Sequence, residues 1–299
     1  MARKRKGDRV DGWLIVDKPE GVTSTQVVGR ARWAFNAQKA GHAGTLDPLA
    51  TGLLAVAFGE ATKTVPYAQE GLKTYRFTAR WGCSTTTDDR EGDVAETSAH
   101  RPSAPDIEAA LPRFTGDIMQ TPPVFSAIKV GGERAYDLAR KGADVALTAR
   151  PIRIEALRLL SVDDQEHATF EMICGKGGYV RSMARDLGEA LGTKAHVKTL
   201  RRLSSGGFDL SGALSHADVE KLRGDPGAFD HLLPVEAGLA GLEQVEVSES
   251  AASRLAQGDL SAVPHREDGD FWVSASGRPV AIVGREGDAP KIRRVINAA

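Results

Sequence analysis

Apolar positions along this 299-residue chain recur in two rhythms, and the places where one gives way to the other predict its elements. Leu53-Leu54-Ala55-Val56-Ala57-Phe58 is an unbroken apolar run of the length expected for a strand buried on both faces. Between Thr74 and Trp81, Tyr75, Phe77, Ala79 and Trp81 alternate with Thr74, Arg76, Thr78 and Arg80, so this strand has one apolar face and Tyr75 belongs to it. Trp13-Leu14-Ile15-Val16 reads as a strand stopped by the turn Asp17-Lys18-Pro19-Glu20-Gly21. Helical spacing follows, with Val27, Val28, Ala31 and Phe35 on one side behind a Thr23-x-x-Gln26 capping box. It returns at Val180, Ala184, Leu187 and Leu191, where Arg181 and Arg185, four apart, share another face. Residues 152–160 and 168–174 read as paired strands, residues 107–114 as a short helix, and residues 124–130 with the Gly131-Gly132 turn as a hairpin leading into a helix near Arg134.

These elements mix without regular βαβ alternation. That predicts an α+β fold with a mixed, largely antiparallel central sheet flanked by helices. Polar, proline-bearing residues 84–106 open an excursion from that sheet, expected to span about residues 84–132. From residue 236 the chain turns acidic and turn-rich, with short strands at Phe271-Trp272-Val273 and Val280-Ala281-Ile282-Val283. The expected division is therefore a large domain over 1–235 and a small β-rich one over 236–299.

Hydrophobic content of 41% and charged content of 26% are those of an ordinary globular protein, and every apolar run is strand-sized. No apolar signal-peptide region follows the basic start, so a cytoplasmic protein without a membrane span is expected. Cys83 and Cys174 lie outside any C-x-x-C pattern and are expected to be buried thiols. The seven histidines lack ligand spacing, so no metal is expected. The net charge of −1 conceals segregation. Residues 1–42 and 172–206 each carry net +5, whereas residues 207–290 carry net −9 before the basic Lys291-Ile292-Arg293-Arg294. Such a distribution suits a polyanion lying on one face, and it equally suits a merely solvated surface.

One loop carries candidate chemistry. Gly41-His42-Ala43-Gly44-Thr45-Leu46-Asp47-Pro48-Leu49-Ala50-Thr51-Gly52 holds a single carboxylate before a proline, which bars the preceding residue from helical geometry, and between glycines that permit unusual angles or close approaches. An aspartate serves as a nucleophile when a cation keeps it ionised, and arginine is the residue that stays charged while pairing bidentately. Gly175-Lys176-Gly177-Gly178 before a helix is either a phosphate cradle or a hairpin turn. The G-x-S-x-G elbow, the Walker sequence and the dinucleotide fingerprint are all absent.

Five segments together resemble bacterial tRNA pseudouridine synthases of the TruB type: Asp17-Lys18-Pro19-x-Gly21-x-Thr23-Ser24, Gly41-His42-x-Gly44-Thr45-Leu46-Asp47-Pro48-x-Ala50-x-Gly52, Lys73-x-Tyr75, Gly178-Tyr179-Val180-Arg181-Ser182 and Leu200-Arg201-Arg202. The likeness covers about residues 10–235. It implies the pseudouridine synthase fold, with the tail similar to that family's PUA-like RNA-binding domain. It further implies isomerisation of the uridine at position 55 in the T-loop of tRNA, in which the N-glycosidic bond breaks and the ribose rejoins at carbon 5. On this resemblance Asp47 is the nucleophile, Arg181 pairs with it, and Tyr75 stacks on the extruded base. Tyr179 and Leu200 line the pocket, His42 fills the gap left in the T-loop, and Lys18 supports the site. The aspartate's first target, whether ribose C1′, the ring or a glycal route, stays open. The expected partner is tRNA through its T-arm, acting on a monomer with no cofactor and no obligate protein partner. A base taken out of its stack costs a few kcal/mol and needs an aromatic face to receive it, which Tyr75 would supply. Two rivals stand beside this reading: a protein that docks the T-arm without chemistry, and a synthase acting on another RNA such as ribosomal RNA.

Overall fold

The computed structural model describes residues 7–126, 128–130, 132–136, 146–263, 269–286 and 289–297. The chain divides into two compact units, one formed by Met1–Gly71 with Ser204–Ala299 and the other by Leu72–Leu203.

The first unit is built on strand Gly12–Lys18, which pairs antiparallel with Thr51–Phe58 and parallel with Leu214–Ser215; the short strand Ala40–His42 also pairs with Thr51–Phe58. Both faces of this ribbon are covered, as the unbroken apolar runs require. Leu14, Val16, Leu54, Val56 and Phe58 share a core with Val27, Ala31 and Phe35 of the helix Ser24–Ala34. On the opposite face Trp13, Ile15, Leu53, Ala55 and Ala57 pack with Phe208, Val235 and Leu239. The helix starts at the capping box read from sequence: Thr23 caps Gln26 N–H and the Gln26 side chain returns the bond to the Thr23 backbone.

Residues beyond 236 form a sheet in the order Glu243–Glu246, Phe271–Ala275, Arg278–Glu286, Ala289–Val295. Strand alternation splits their side chains between two cores. Phe271, Val273, Ala281 and Val283 close on Val245 and Leu255, while Trp272, Ile282 and Ile296 join the cluster around Trp13. Trp272 and Ile282 thus share a cluster with Trp13, while their strand neighbours Phe271, Val273, Ala281 and Val283 belong to a second one.

In the second unit Lys73–Trp81, His167–Cys174, Arg150–Val162 and Gly116–Gln120 pair antiparallel in that order. Phe77, Ala79, Trp81, Ala168, Phe170, Met172 and Cys174 are buried, and Phe77 stacks on Phe170 with ring centres 5.2 Å apart. The helix Val180–Ala190 buries Val180, Met183, Ala184 and Leu187. On the opposite face Thr78 meets Thr169 and Thr199 through hydroxyl bonds of 2.9 Å each. The excursion leaves the sheet only in part. Cys83–Thr85 and Val94–Thr97 form a separate hairpin, and the helix Ala104–Ala110 follows, but Gly116–Gln120 returns as a sheet strand against Arg150–Val162. The hairpin between Lys129–Val130 and Glu133–Arg134 is present, and the helix expected from Arg134 falls outside the described residues.

Candidate active site

The expected site residues fall in both units: Lys18, His42 and Asp47 in the first, and Tyr75, Tyr179, Arg181 and Leu200 in the second.

Asp47 is half-buried on a loop whose neighbours are clamped on both sides. Before it, the Ser24 hydroxyl accepts from Leu46 N–H at 2.8 Å and donates to Leu46 C=O at 3.0 Å, with both residues buried. After it, Pro48 C=O accepts from Gly21 N–H at 2.8 Å and from the Lys18 ammonium at 3.2 Å. Lys18 is fully buried, and its Nζ also donates to Pro19 C=O at 2.9 Å and Val22 C=O at 2.6 Å. A buried ammonium is tolerated when charge-assisted bonds satisfy it, and here those bonds tie the turn after Gly12–Lys18 to the loop of Asp47. Gly44 (φ 98°) and Gly52 (φ 97°) adopt backbone angles that disfavour side chains. Gly41 does not need its freedom, because a methyl group there would meet nothing within 4 Å. His42 is half-buried on the strand beside Val56.

In the second unit Tyr75 ends the apolar face of its strand. Phe77, Ala79 and Trp81 are buried, whereas Tyr75 is only half-buried. Leu200 is buried on Ala195–Ser205. Tyr179 is the N-cap residue of Val180–Ala190 and is fixed through its backbone: the Gln120 amide donates to its C=O at 3.1 Å and accepts from its N–H at 2.9 Å. Arg181 lies in the first turn of that helix and is only 5% exposed, not the solvated helix residue that its type alone suggests. Its guanidinium donates to Thr87 C=O at 3.0 Å and Phe125 C=O at 2.8 Å, and its Nε lies 3.8 Å from an Asp89 carboxylate oxygen. The Gly175-to-Gly178 segment is a turn between strand and helix, with Gly178 pressed on Cys174 so that a methyl group would come within 2.8 Å of its sulfur.

Several contributors escaped the sequence reading. Ser24 is marked in sequence only as part of the first family-like segment, with nothing to show its bonds to Leu46, and Gln120, Asp88 and Asp89 look like excursion residues. Asp89 is buried, accepting from Thr87 Oγ1 at 2.6 Å and Glu91 N–H at 3.0 Å. Burial raises the Asp88 carboxyl above its ordinary value, against the pull of Arg185 and Arg181. Burial opposes the charge of Arg185, but the Asp186 and Asp88 carboxylates together raise its proton affinity. His196 is pushed down by burial while Cys83 C=O, 2.9 Å from Nδ1, favours its charged form. Among the described residues no group of His, Cys, Asp and Glu is placed to hold a metal ion, and no helix is long and apolar enough to cross a membrane. An open groove of ≈ 410 Å³ on the helix Ser24–Ala34, lined by Gln26, Arg30, Trp33 and His216 among others, includes none of the expected site residues.

Comparison with known proteins gives a consistent picture. Residues 32–180 match the model of the TruB family pseudouridylate synthase N-terminal domain, and residues 181–240 match that of the tRNA pseudouridylate synthase B C-terminal domain. The chain is similar to the tRNA pseudouridine synthase B of Dinoroseobacter shibae, at 52% identity over 286 residues and 94% of each chain. It is also similar to that of Paracoccus denitrificans, at 51% identity over 300 residues and 99% of each chain. Among solved structures, a Cbf5-Nop10-Gar1 complex aligns with a TM-score of 0.74 at 24% identity, over 96% of this chain and 85% of the other. An H/ACA RNP bound to a substrate RNA containing 2′-deoxyuridine aligns at 0.74 and 21%, over 100% and 92%. At such identities these two likenesses concern the fold.

Proposed function

Because the chain belongs to the TruB family of tRNA pseudouridine synthases, we propose that it isomerises the uridine at position 55 in the T-loop of tRNA to pseudouridine, with Asp47 as the nucleophile. The observation that carries this reading is the double clamp on the loop of Asp47. Ser24 holds Leu46 by two hydrogen bonds and Lys18 holds Pro48, so the one residue between them presents its carboxylate from a backbone fixed in advance. Such fixing lowers the reorganisation needed at the moment of attack.

The remaining roles follow chemically. The uridine leaves its stack, and Tyr75, a half-buried residue at the end of an apolar strand face, receives the base. Arg181 supplies the guanidinium that pairs with the nucleophile, its direction set by two backbone carbonyls. Tyr179 and Leu200 shape the pocket, and His42 occupies the place in the T-loop that the uridine vacates. In the exchange the bond from ribose C1′ to N1 breaks, the base turns and C5 bonds to C1′; C5 gives up its proton to solvent or a base, N1 gains one, and Asp47 is released unchanged, whether it adds to C1′, adds to the ring or promotes a glycal. Atoms balance without redox or group donors. Residues 236–299 act as a PUA-like RNA-binding element, and the enzyme works as a cytoplasmic monomer on the T-arm.

The test is to incubate the purified chain with a tRNA transcript, with its isolated T-arm hairpin and with a ribosomal RNA fragment, and to map pseudouridine at nucleotide resolution. Product at position 55 in both the tRNA and the hairpin is expected. Product elsewhere, or only in the ribosomal fragment, would overturn the assignment.

A further inference from the structure

Arg181 takes its direction from two segments distant in sequence, because its guanidinium bonds to Thr87 C=O and Phe125 C=O. Backbone carbonyls aim a cation only if their own loops are fixed. The turn carrying Thr87 passes through Asp88 at φ 59°, a left-handed angle that aspartate tolerates better than most residues but that still needs support to be held as a single conformation.

That support comes from the helix that carries Arg181. One turn further along, Arg185 Nη1 donates to Asp88 Oδ2 at 2.9 Å, and its Nη2 donates to Thr121 C=O at 2.8 Å. Ser182 Oγ donates to the same Thr121 carbonyl at 2.8 Å, and Asp186 accepts from Arg185 Nε at 2.9 Å. Arg185 thus ties both segments, 87–89 and 121–125, to the helix that presents Arg181. The Asp88 backbone is fastened in turn to the strand Ala195–Ser205, where Val197 N–H donates to Asp88 C=O at 3.0 Å and Arg90 N–H donates to Val197 C=O at 3.0 Å. The charged groups facing Asp88 include Arg185, Arg181, Asp89 and, behind Arg185, Asp186. Side-chain exposures of 22% for Arg185 and 15% for Asp88 make the pair well shielded from salt, unlike a surface ion pair.

We propose that Asp88 and Arg185 are positioning residues for the reaction: their ion pair sets the turn whose carbonyl aims the Arg181 guanidinium, without either side chain meeting the substrate. This rests on the function proposed above, and it assigns rate-determining geometry to a layer behind the reacting groups. Asp88→Asn is the clean probe, because asparagine accepts the left-handed angle as readily as aspartate and only the charge is lost. Arg185→Lys keeps a cation near Asp88 but cannot reach Thr121 at the same time.

Steady-state kinetics on a tRNA transcript and hydrogen exchange by mass spectrometry, both on the full chain, test the idea together. Asp88→Asn and Arg185→Gln are expected to lower kcat about tenfold with KM within twofold, and the double variant is expected to be no slower than the worse single one. Arg185→Lys should recover part of the rate. Amides of segments 86–92 and 121–126 should exchange faster in both single variants while the strand Thr51–Phe58 stays protected. An unchanged kcat, or unaltered exchange in those two segments, would overturn the proposal. A rise in KM at constant kcat would overturn it too, because Arg185 would then be an RNA contact. If the unaltered chain makes no pseudouridine in tRNA, the functional reading fails by itself, and the exchange data alone decide whether this pair holds the turn.

Discussion

Ser24→Ala isolates one half of the clamp on Asp47. The hydroxyl removed makes two bonds to a single residue, accepting from Leu46 N–H and donating to Leu46 C=O, at 2.8 and 3.0 Å. Ser24 is 3% exposed and Leu46 4%, so water cannot take its place. A buried donor left without a partner costs ~1–3 kcal/mol, and the carbonyl beside it adds to this. A loss of about 2–3 kcal/mol of folding stability is therefore expected in urea denaturation. The neighbouring residue supplies the control. Thr23 is exposed and caps the same helix, so Thr23→Ala should cost ~1 kcal/mol through loss of the cap without touching Leu46. If stability alone set activity, both variants would keep full kcat wherever they remain folded. If the clamp aims the carboxylate, Ser24→Ala should lower kcat about 10- to 100-fold at temperatures where both are folded, in line with the cost of displacing a reacting group by about 1 Å. Rates of pseudouridine formation under saturating tRNA read this directly. A Ser24→Ala kcat within twofold of that of Thr23→Ala would refute the reasoning, as would a stability loss below about 0.5 kcal/mol.

Three further outcomes follow from the same geometry. Arg181→Lys should reduce kcat far more than tRNA affinity, because an ammonium cannot satisfy the Thr87 and Phe125 carbonyls together, and equal activity in a paired kinetic and binding assay would contradict the role given to that side chain. Burial pushes the Cys174 thiol up to about 12, so at pH 8 peptide mass spectrometry should find it alkylated only as fast as the protein unfolds, and rapid alkylation of the folded chain would contradict its burial. Burial pushes His196 below its ordinary 6.5, so the unfolded chain takes up the proton first as pH falls. Stability should then be full above that value and decline as pH drops through 6.5 towards the folded-state pKa, with His196→Gln flatter than the unaltered chain between pH 7 and 5 in urea titrations.

Much of the frame was readable because burial has a period. The run from Leu53 to Phe58 admits no solvent-facing side, and all six residues are fully buried. The capping box and the alternation from Tyr75 to Trp81 were equally legible, since each depends on neighbours within a few residues. The stiffness around Asp47 showed in its proline and glycines, but the clamp itself did not, because Ser24 lies 22 residues from Leu46 and Lys18 lies 30 from Pro48. The burial of Arg181 was hidden for a stronger reason. Its acceptors are backbone carbonyls 94 and 56 residues away, and a carbonyl leaves no mark on residue identity. Asp88 and Asp89 read as loop polarity because their partners sit on a helix nearly a hundred residues later. That Trp272 and Ile282 share a core with Trp13 was hidden as well, because composition carries no mark of contacts so far apart in sequence.

The most direct measurement pairs product mapping with binding for Asp47→Asn, which keeps the shape of the side chain and removes its charge. Pseudouridine at position 55 from the unaltered chain, none from the variant, and tRNA dissociation constants within a few-fold of each other are the predicted result. Comparable turnover by Asp47→Asn would contradict the account at its centre.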